Sequence, residues 1–280
     1  MLCGCHVPFP ISMYILLFLV IHWYVALFFQ SFFHHRYAAH RNCSMSPGME
    51  KFFHICCFIS QGSSYISAEA YGIMHRIHHA HTDVPEDPHS PMITPNPFAM
   101  LWYTRNSYFN IYIGKTKVLD KYRKNLPVWK AFDRIAHTPY ARLAWVGVYV
   151  LIYWALATAW WQWLFLPLTI AMSPTQGMLI NWWAHVAGYE NFKMKNTSKN
   201  IIPIDLFFVG EAFHNNHHYH PTRPNNAIKW WEFDATYQMM RLMHAVGMIQ
   251  LRGTKKYVPS TAVVHEPVKQ KREHFEEVIW

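Results

Sequence analysis

The sequence contains 20 histidines, and their grouping is what could do chemistry. His75, His78 and His79 form the run HRIHH, whose i, i+3, i+4 spacing sets three imidazoles on one helical face. His214, His217 and His218 repeat that spacing in HNNHH. Asn181 and His185, four residues apart near the end of an apolar run, share a face as well. His35 and His40 in HRYAAH are five apart, which a straight α-helix turns about 140° from each other. They converge only if the helix unwinds after His35.

A lone histidine near a membrane is ordinarily a packed or interfacial side chain. Nine of them, arranged as two HxxHH triplets, one pair and one NxxxH, are costly to bury without partners and point to metal. Imidazole suits iron, zinc, copper and nickel, so ligand type does not choose the ion. Ligand number says more. A single structural zinc takes four ligands, whereas nine histidines and an asparagine match two five- or six-coordinate ions, which implicates two Fe2+ ions and O2 chemistry. Soluble di-iron proteins use mainly carboxylates on a helix bundle. The corresponding reading here is a histidine-rich membrane version, and a non-catalytic membrane metal-binding protein is its rival from another class.

The elements that must position these residues are apolar helices. Only 15% of the 280 residues are Asp, Glu, Lys or Arg, against roughly a quarter in soluble domains. The mean hydropathy of -0.04 averages long uncharged runs with a polar remainder. Residues 11–33 are long enough to cross a bilayer, and 143–189 without a charge make a helical hairpin, read as spans 143–164 and 167–188. Trp160, Trp161 and Trp163 lie at its turn like an interfacial belt. Residues 51–72 carry Gln61, Ser63, Ser64, Ser67 and Glu69, which suits a packed or interfacial helix better than a span. Five prolines make 85–97 a loop. The fold class expected is therefore all-α: a polytopic membrane protein with about three spans and a cytoplasmic helical cap holding the di-iron centre. One membrane domain, 1–252, precedes a polar tail, 253–280.

The net charge of +9 sits near the ends of the apolar runs, as Arg36, Arg41, Arg134, Arg142, Lys193, Lys195 and Lys199. That is positive-inside bias and attraction to lipid headgroups, not a nucleic-acid surface. It places the histidine-rich side in the cytoplasm. Five cysteines form no CxxC pair and no disulfide framework.

HRYAAH, HRIHH followed by DPHSP, NWWAH, and GEAFHNNHHYHP resemble the histidine boxes of the stearoyl-CoA desaturase family, over most of residues 11–250. Membrane alkane hydroxylases are similar but carry HxxxHH where this chain has HxxHH. The resemblance implies O2-dependent introduction of a cis double bond, of Δ9 type, into a saturated acyl chain carried as acyl-CoA or acyl-lipid. It implies two irons held by His35, His40, His75, His78, His79, His185, His214, His217 and His218, with Asn181 acting through water. An iron-dependent hydroxylase of fatty acids, alkanes or carotenoids is the rival enzyme.

The resemblance also implies two spans before the first box, where this sequence has room for one. With cytoplasmic boxes, Met1 then falls on the far side. The HPGG signature of a fused cytochrome b5 is absent, so a separate donor of ferredoxin or cytochrome b5 type is expected. The setting implied is the cytoplasmic membrane or the ER, with the active site on the cytoplasmic face. Asp83, Asp87 and Glu211 lie near the boxes and are candidates to orient imidazoles. His34, His81, His89 and His220 stay outside the primary ligand set. Trp23 and Leu27, two to three turns before His35, are candidates for the closed end of an acyl tunnel.

Overall fold

The computed structural model describes residues 13–252, which are helical in most of their length. The tail 253–280 and residues 11–12 of the first expected span lie outside the described residues.

Helix α1 (Tyr14–Phe29) runs without a break into a π-helix, Gln30–Ala39. Together they form an apolar rod of 26 residues. Leu17, Val20, Ile21 and Val25 are exposed along it, whereas Ile15, Leu19, Ala26 and Leu27 are buried against the protein. That division suits a helix with one flank in lipid. The strand β1 (Cys43–Ser44) follows and pairs antiparallel with β2 (Gln250–Leu251), bringing the end of the described chain beside the segment after the π-helix.

Ser46 caps α2 (Pro47–Gln61) by accepting from the Met49 N–H, with Pro47 at the first helical position. α2 folds back along α1. Phe53 packs on Phe29, and farther down the Ser60 carbonyl lies 3.0 Å from His22 Nε2. At about 22 Å long α2 is too short to cross. The chain reverses at Gly62–Ser64, and α3 (Ala68–His81) returns.

This reversal is buried, so its backbone needs partners within the protein. Arg142 supplies them, donating to the Ser63 carbonyl at 2.7 Å and the Tyr65 carbonyl at 2.8 Å. Gly62 sits at φ 52°, where a Cβ would also overlap the Tyr149 hydroxyl, so a side chain is excluded on both counts.

α4 (Pro97–Tyr112), α5 (Asp120–Arg123) and α6 (Lys130–Ala136) follow α3. α4 repeats the cap–proline start, with Asn96 accepting from Ala99 N–H at 2.9 Å. So does α7 (Pro139–Leu156), where Thr138 accepts from Ala141. These caps correct the expected boundaries. The second apolar helix begins at Pro139, four residues before 143, and ends at Leu156, not 164. It stops because the buried Gln162 side chain accepts from the Thr158 and Ala159 N–H groups, drawing the chain into a tight turn, Trp160–Phe165. Trp160 is exposed there as the belt expectation requires.

The third expected span, 167–188, is not straight. α8 (Leu166–Ile170), with the turn before it, is bent 70° from α9 (Met172–Val186). Serines from the buried reversal take over at the break: Ser63 donates to the Ile170 carbonyl at 2.7 Å, and Ser64 accepts from the Ser173 N–H at 3.3 Å. Among the described residues, by length and composition, two helices can cross a membrane, or three if the bent pair counts as one span. Beyond α9 come the short α10 (His214–Tyr219) and α11 (Ala235–Ala245), which cover the end of the π-helix.

Candidate metal centre

The π-helix solves the five-residue spacing of HRYAAH. Its hydrogen bonds close from i to i+5, as in His40 N–H to the His35 carbonyl at 3.2 Å, so residues five apart stack where an α-helix would separate them. The two rings lie 5.0 Å apart, centre to centre. The expected unwinding after His35 is thus replaced by widening. Arg76, the arginine within HRIHH, holds the end of this widened segment by donating to the Ala38 and Ala39 carbonyls at 3.1 and 2.8 Å. Arg36 is fully buried and donates to Asp234 at 2.9 Å and Glu211 at 3.2 Å.

Four elements bring nine imidazoles into two groups. His35 and His40 from the π-helix, His75 and His79 from α3, and His217 from α10 form the first. His78 from α3, His185 from α9, and His214 and His218 from α10 form the second. Within each group the potential ligand atoms all lie within 4.8 Å of one another. Asn181, one turn before His185 on α9, lines the cavity beside both groups.

The ring nitrogens that meet are Nε2. His35 and His217 approach to 2.9 Å, His79 and His217 to 2.9 Å, and His75 and His40 to 2.9 Å. In the second group His78 and His218 are at 3.1 Å, and His185 and His214 at 3.1 Å. Hydrogen bonds cannot satisfy such a set, because each ring has one proton to give at Nε2 and several facing nitrogens. Nitrogens bound at about 2.1 Å and right angles to one ion would stand about 3.0 Å apart. The donor set fits two cations.

The acids flagged in the sequence all stand behind these rings. Glu211 lies 2.6 Å from His35 Nδ1, Asp87 holds His78 Nδ1 with both oxygens at 2.9 Å, and Asp83 lies 3.4 Å from His185 Nδ1. A proton fixed on Nδ1 leaves the Nε2 lone pair for a metal. Thr197, which no sequence signal marked, completes the third of these. It sits 3.1 Å from His185 Nδ1 and donates to Asp83 at 2.8 Å.

Burial and the neighbouring rings push His75, His79, His214, His217 and His218 well below the ordinary histidine range. These imidazoles are therefore neutral, as a metal requires. Burial works against ionisation of Glu211, but His35 and then Arg36 hold its carboxyl at about 2.

Two cavities adjoin the clusters. The smaller, about 40 Å³, is lined by Leu27, Gln30, His35, His75, His89, Asn181, Glu211 and His214 among others. The larger, about 320 Å³, has mostly apolar walls between α3, α4 and α9, with Arg105 and Arg142 among its lining residues. Gln30, Tyr71, Met74, Gly177 and Asn181 line both, so the two are adjacent. Of the two tunnel candidates, Leu27 is on the wall of the smaller cavity. Trp23 stands behind it, its indole donating to the Phe207 carbonyl at 3.1 Å and packing on the Phe207 ring.

Comparison with known proteins shows the family. The fatty acid desaturase family model matches residues 10–248. The chain is 27% identical to the Delta-9 desaturase-like 5 protein of Arabidopsis thaliana over 78% of its own length and 70% of that protein's. It is 28% identical to Delta-9 acyl-lipid desaturase 1 of the same plant, covering 77% and 67% of the two chains. It is also 26% identical to a hex-5-enoyl-[acyl-carrier protein] acetylenase of Moorena producens, over 86% and 77%.

Proposed function

The chain belongs to the fatty acid desaturase family, an oxidoreductase family acting on fatty acyl chains, and from that premise we propose that it introduces a cis double bond, of Δ9 type, into a saturated acyl chain in an O2-dependent reaction. One observation carries the reading: two sets of inward-facing imidazoles stand beside an apolar cavity. His35, His40, His75, His79 and His217 would hold one iron, and His78, His185, His214 and His218 the other, with Asn181 acting through water. Two Fe2+ ions so bound would supply the reduction of O2 and the oxidising power to remove two hydrogens from adjacent methylenes.

The chain's own residues do the rest. Tyr71 and Met74 line both cavities and confine the acyl chain there. The narrowness beyond them favours desaturation, because a loosely held methylene would be hydroxylated instead. Glu211, Asp87 and Asp83 with Thr197 hold their imidazoles in one tautomer and orientation. Trp23 and Leu27 close the far end and set the chain length accepted. Arg105 and Arg142 favour the cytoplasm for the mouth of the larger cavity by the charge rule, in the cytoplasmic membrane or the ER. Electrons come from a carrier of ferredoxin or cytochrome b5 type.

Fatty acid analysis of a host expressing the chain tests this. The expected result is a new cis-monounsaturated product with about two irons per purified chain. A hydroxylated product without an alkene overturns it. Leu27→Ala and Trp23→Ala are expected to lengthen the preferred chain, and an unchanged product profile removes both residues from the tunnel end.

A further inference from the structure

One buried polar side chain beside the clusters is used neither as a ligand nor as support for one. His89 is 2% exposed, and among the described residues both its ring nitrogens lack a hydrogen-bond partner. Its position is nevertheless fixed. Its backbone N–H donates to Asp87 at 3.0 Å, Asp87 holds His78, and the His89 ring lies 4.0 Å from the His78 ring between centres. His78, Asp87 and His89 present possible ligand atoms within 4.8 Å of one another. They do not make a third metal site, because Asp87 is committed to His78 Nδ1 and His78 Nε2 to the second cluster.

His89 instead faces the small cavity of about 40 Å³, whose wall also includes His35, His75, Asn181 and His214. Gln30 lines the same cavity from the π-helix, and its Oε1 is likewise buried without a partner among the described residues. Leaving a buried polar atom unpaired is costly, so three of them around one small space mark a place for something that hydrogen-bonds. A polar cavity of this size accommodates one or two small molecules. A neutral imidazole offers it one donor and one acceptor, and Gln30 Oε1 a further acceptor.

We propose that His89 and Gln30 form a hydrogen-bonding seat for the small exchangeable ligand of the metal centre, a water or an oxygen-containing ligand, on the side where the acyl chain arrives. His89 is thus a positioning residue. The inference rests on the metal reading above. Tyr71 and Met74 line this cavity and the acyl cavity alike, so a ligand held by His89 is directed toward the chain. A metal centre without such a seat would leave that ligand free to turn away.

The test uses the full-length protein in detergent, loaded with Co2+ and titrated with azide, following the visible absorption of the metal. His89→Leu is expected to keep two cobalt ions per chain and weaken azide binding roughly five- to tenfold, as loss of one hydrogen bond predicts. His89→Gln, which keeps a donor, is expected to recover most of the affinity. Gln30→Met, on a different element, is expected to weaken azide by a smaller factor and serves where His89→Leu does not fold. Unchanged azide affinity in the His89 and Gln30 variants overturns the seat while leaving the metal reading intact. Loss of one cobalt in both His89 variants overturns it in favour of a ligand role. Absence of cobalt binding by the unaltered chain overturns both readings.

Discussion

The two imidazole clusters are held by different means. The first, of five histidines, grows out of the membrane rod. Its support is ionic: Glu211 joins His35 to the buried Arg36, which continues to Asp234, the cap of α11. The second cluster has four histidines and rests on loops. Asp87 and Asp83 lie in the turn after α3, Asp83 at φ 65°, and Thr197 lies in the connection beyond α9. Folding itself therefore preassembles the first cluster, whereas the second depends on loop contacts that a bound ion helps to hold. The first is expected to bind its metal more tightly, and the second to keep the open position.

Single ligand losses give the largest effects and the sharpest break of this comparison. His217→Ala and His218→Ala are each expected to lower turnover by at least about 10²-fold, since even outer-sphere changes cost 10- to 100-fold. Each is expected to lose one metal and retain the other by elemental analysis. If either variant loses both, the clusters are one unit and the contrast fails.

Removing the supports comes next. Glu211→Gln takes one of two carboxylates from the buried Arg36 cation, which keeps Asp234, at a cost of about 1.5–3 kcal/mol. It is expected to lower the thermal midpoint in detergent and to weaken the first metal about 10- to 100-fold. Asp87→Asn is expected to weaken the second metal by a similar factor with a smaller thermal shift, because no buried cation loses a carboxylate. Equal thermal shifts would erase the distinction between ionic and loop support.

A buried imidazole outside both clusters separates burial from metal. His54 is 1% exposed with neither ring nitrogen bonded among the described residues, and burial, then His34, lowers it to about 4. The folded value lies below the unfolded one of 6.5, so the contribution is full above pH 6.5 and is lost as pH falls toward 4. That loss is at most about 3 kcal/mol. His54→Phe, among Phe33, Trp129 and Phe132, is expected to flatten the acid side of the stability profile in thermal melts against pH, with the metals unaffected. An unchanged acid slope would show that the clusters alone set it.

What was legible in the sequence follows from what is local. The HxxHH triplets and the NxxxH pair need only helical periodicity, and α3, α9 and α10 supply it. The acids were found by nearness in sequence to the boxes. The π-helix was not legible, because its stabilisation comes from Arg76 on another helix and the burial of Arg36, both tertiary. The bend at Ala171 was equally hidden, since Ser63 and Ser64, more than 100 residues away, satisfy the broken turn. The early start of α7 was different. Thr138-Pro139 is a cap signal that also opens α2 and α4, and reading it would have moved the boundary.

Thr197 gives the smallest predicted effect and the finest test of the contrast. Its hydroxyl stands between His185 Nδ1 and Asp83, yet Asp83 Oδ2 also accepts from the Thr197 backbone N–H at 2.7 Å. Thr197→Val keeps shape and that backbone bond while removing the hydroxyl. His185 can then turn to Asp83 Oδ1, now 3.4 Å away, so the loss is partial. About 1 kcal/mol is expected, or roughly fivefold in affinity for the second metal. The first metal should be unmoved, since Thr197 touches none of its ligands, and Thr197→Ser should restore the second. Chelator competition reads both sites in one experiment. Weakening of both metals by Thr197→Val would mean that loop order reaches the first cluster as well, and the separation between preassembled and loop-held sites would have to be abandoned.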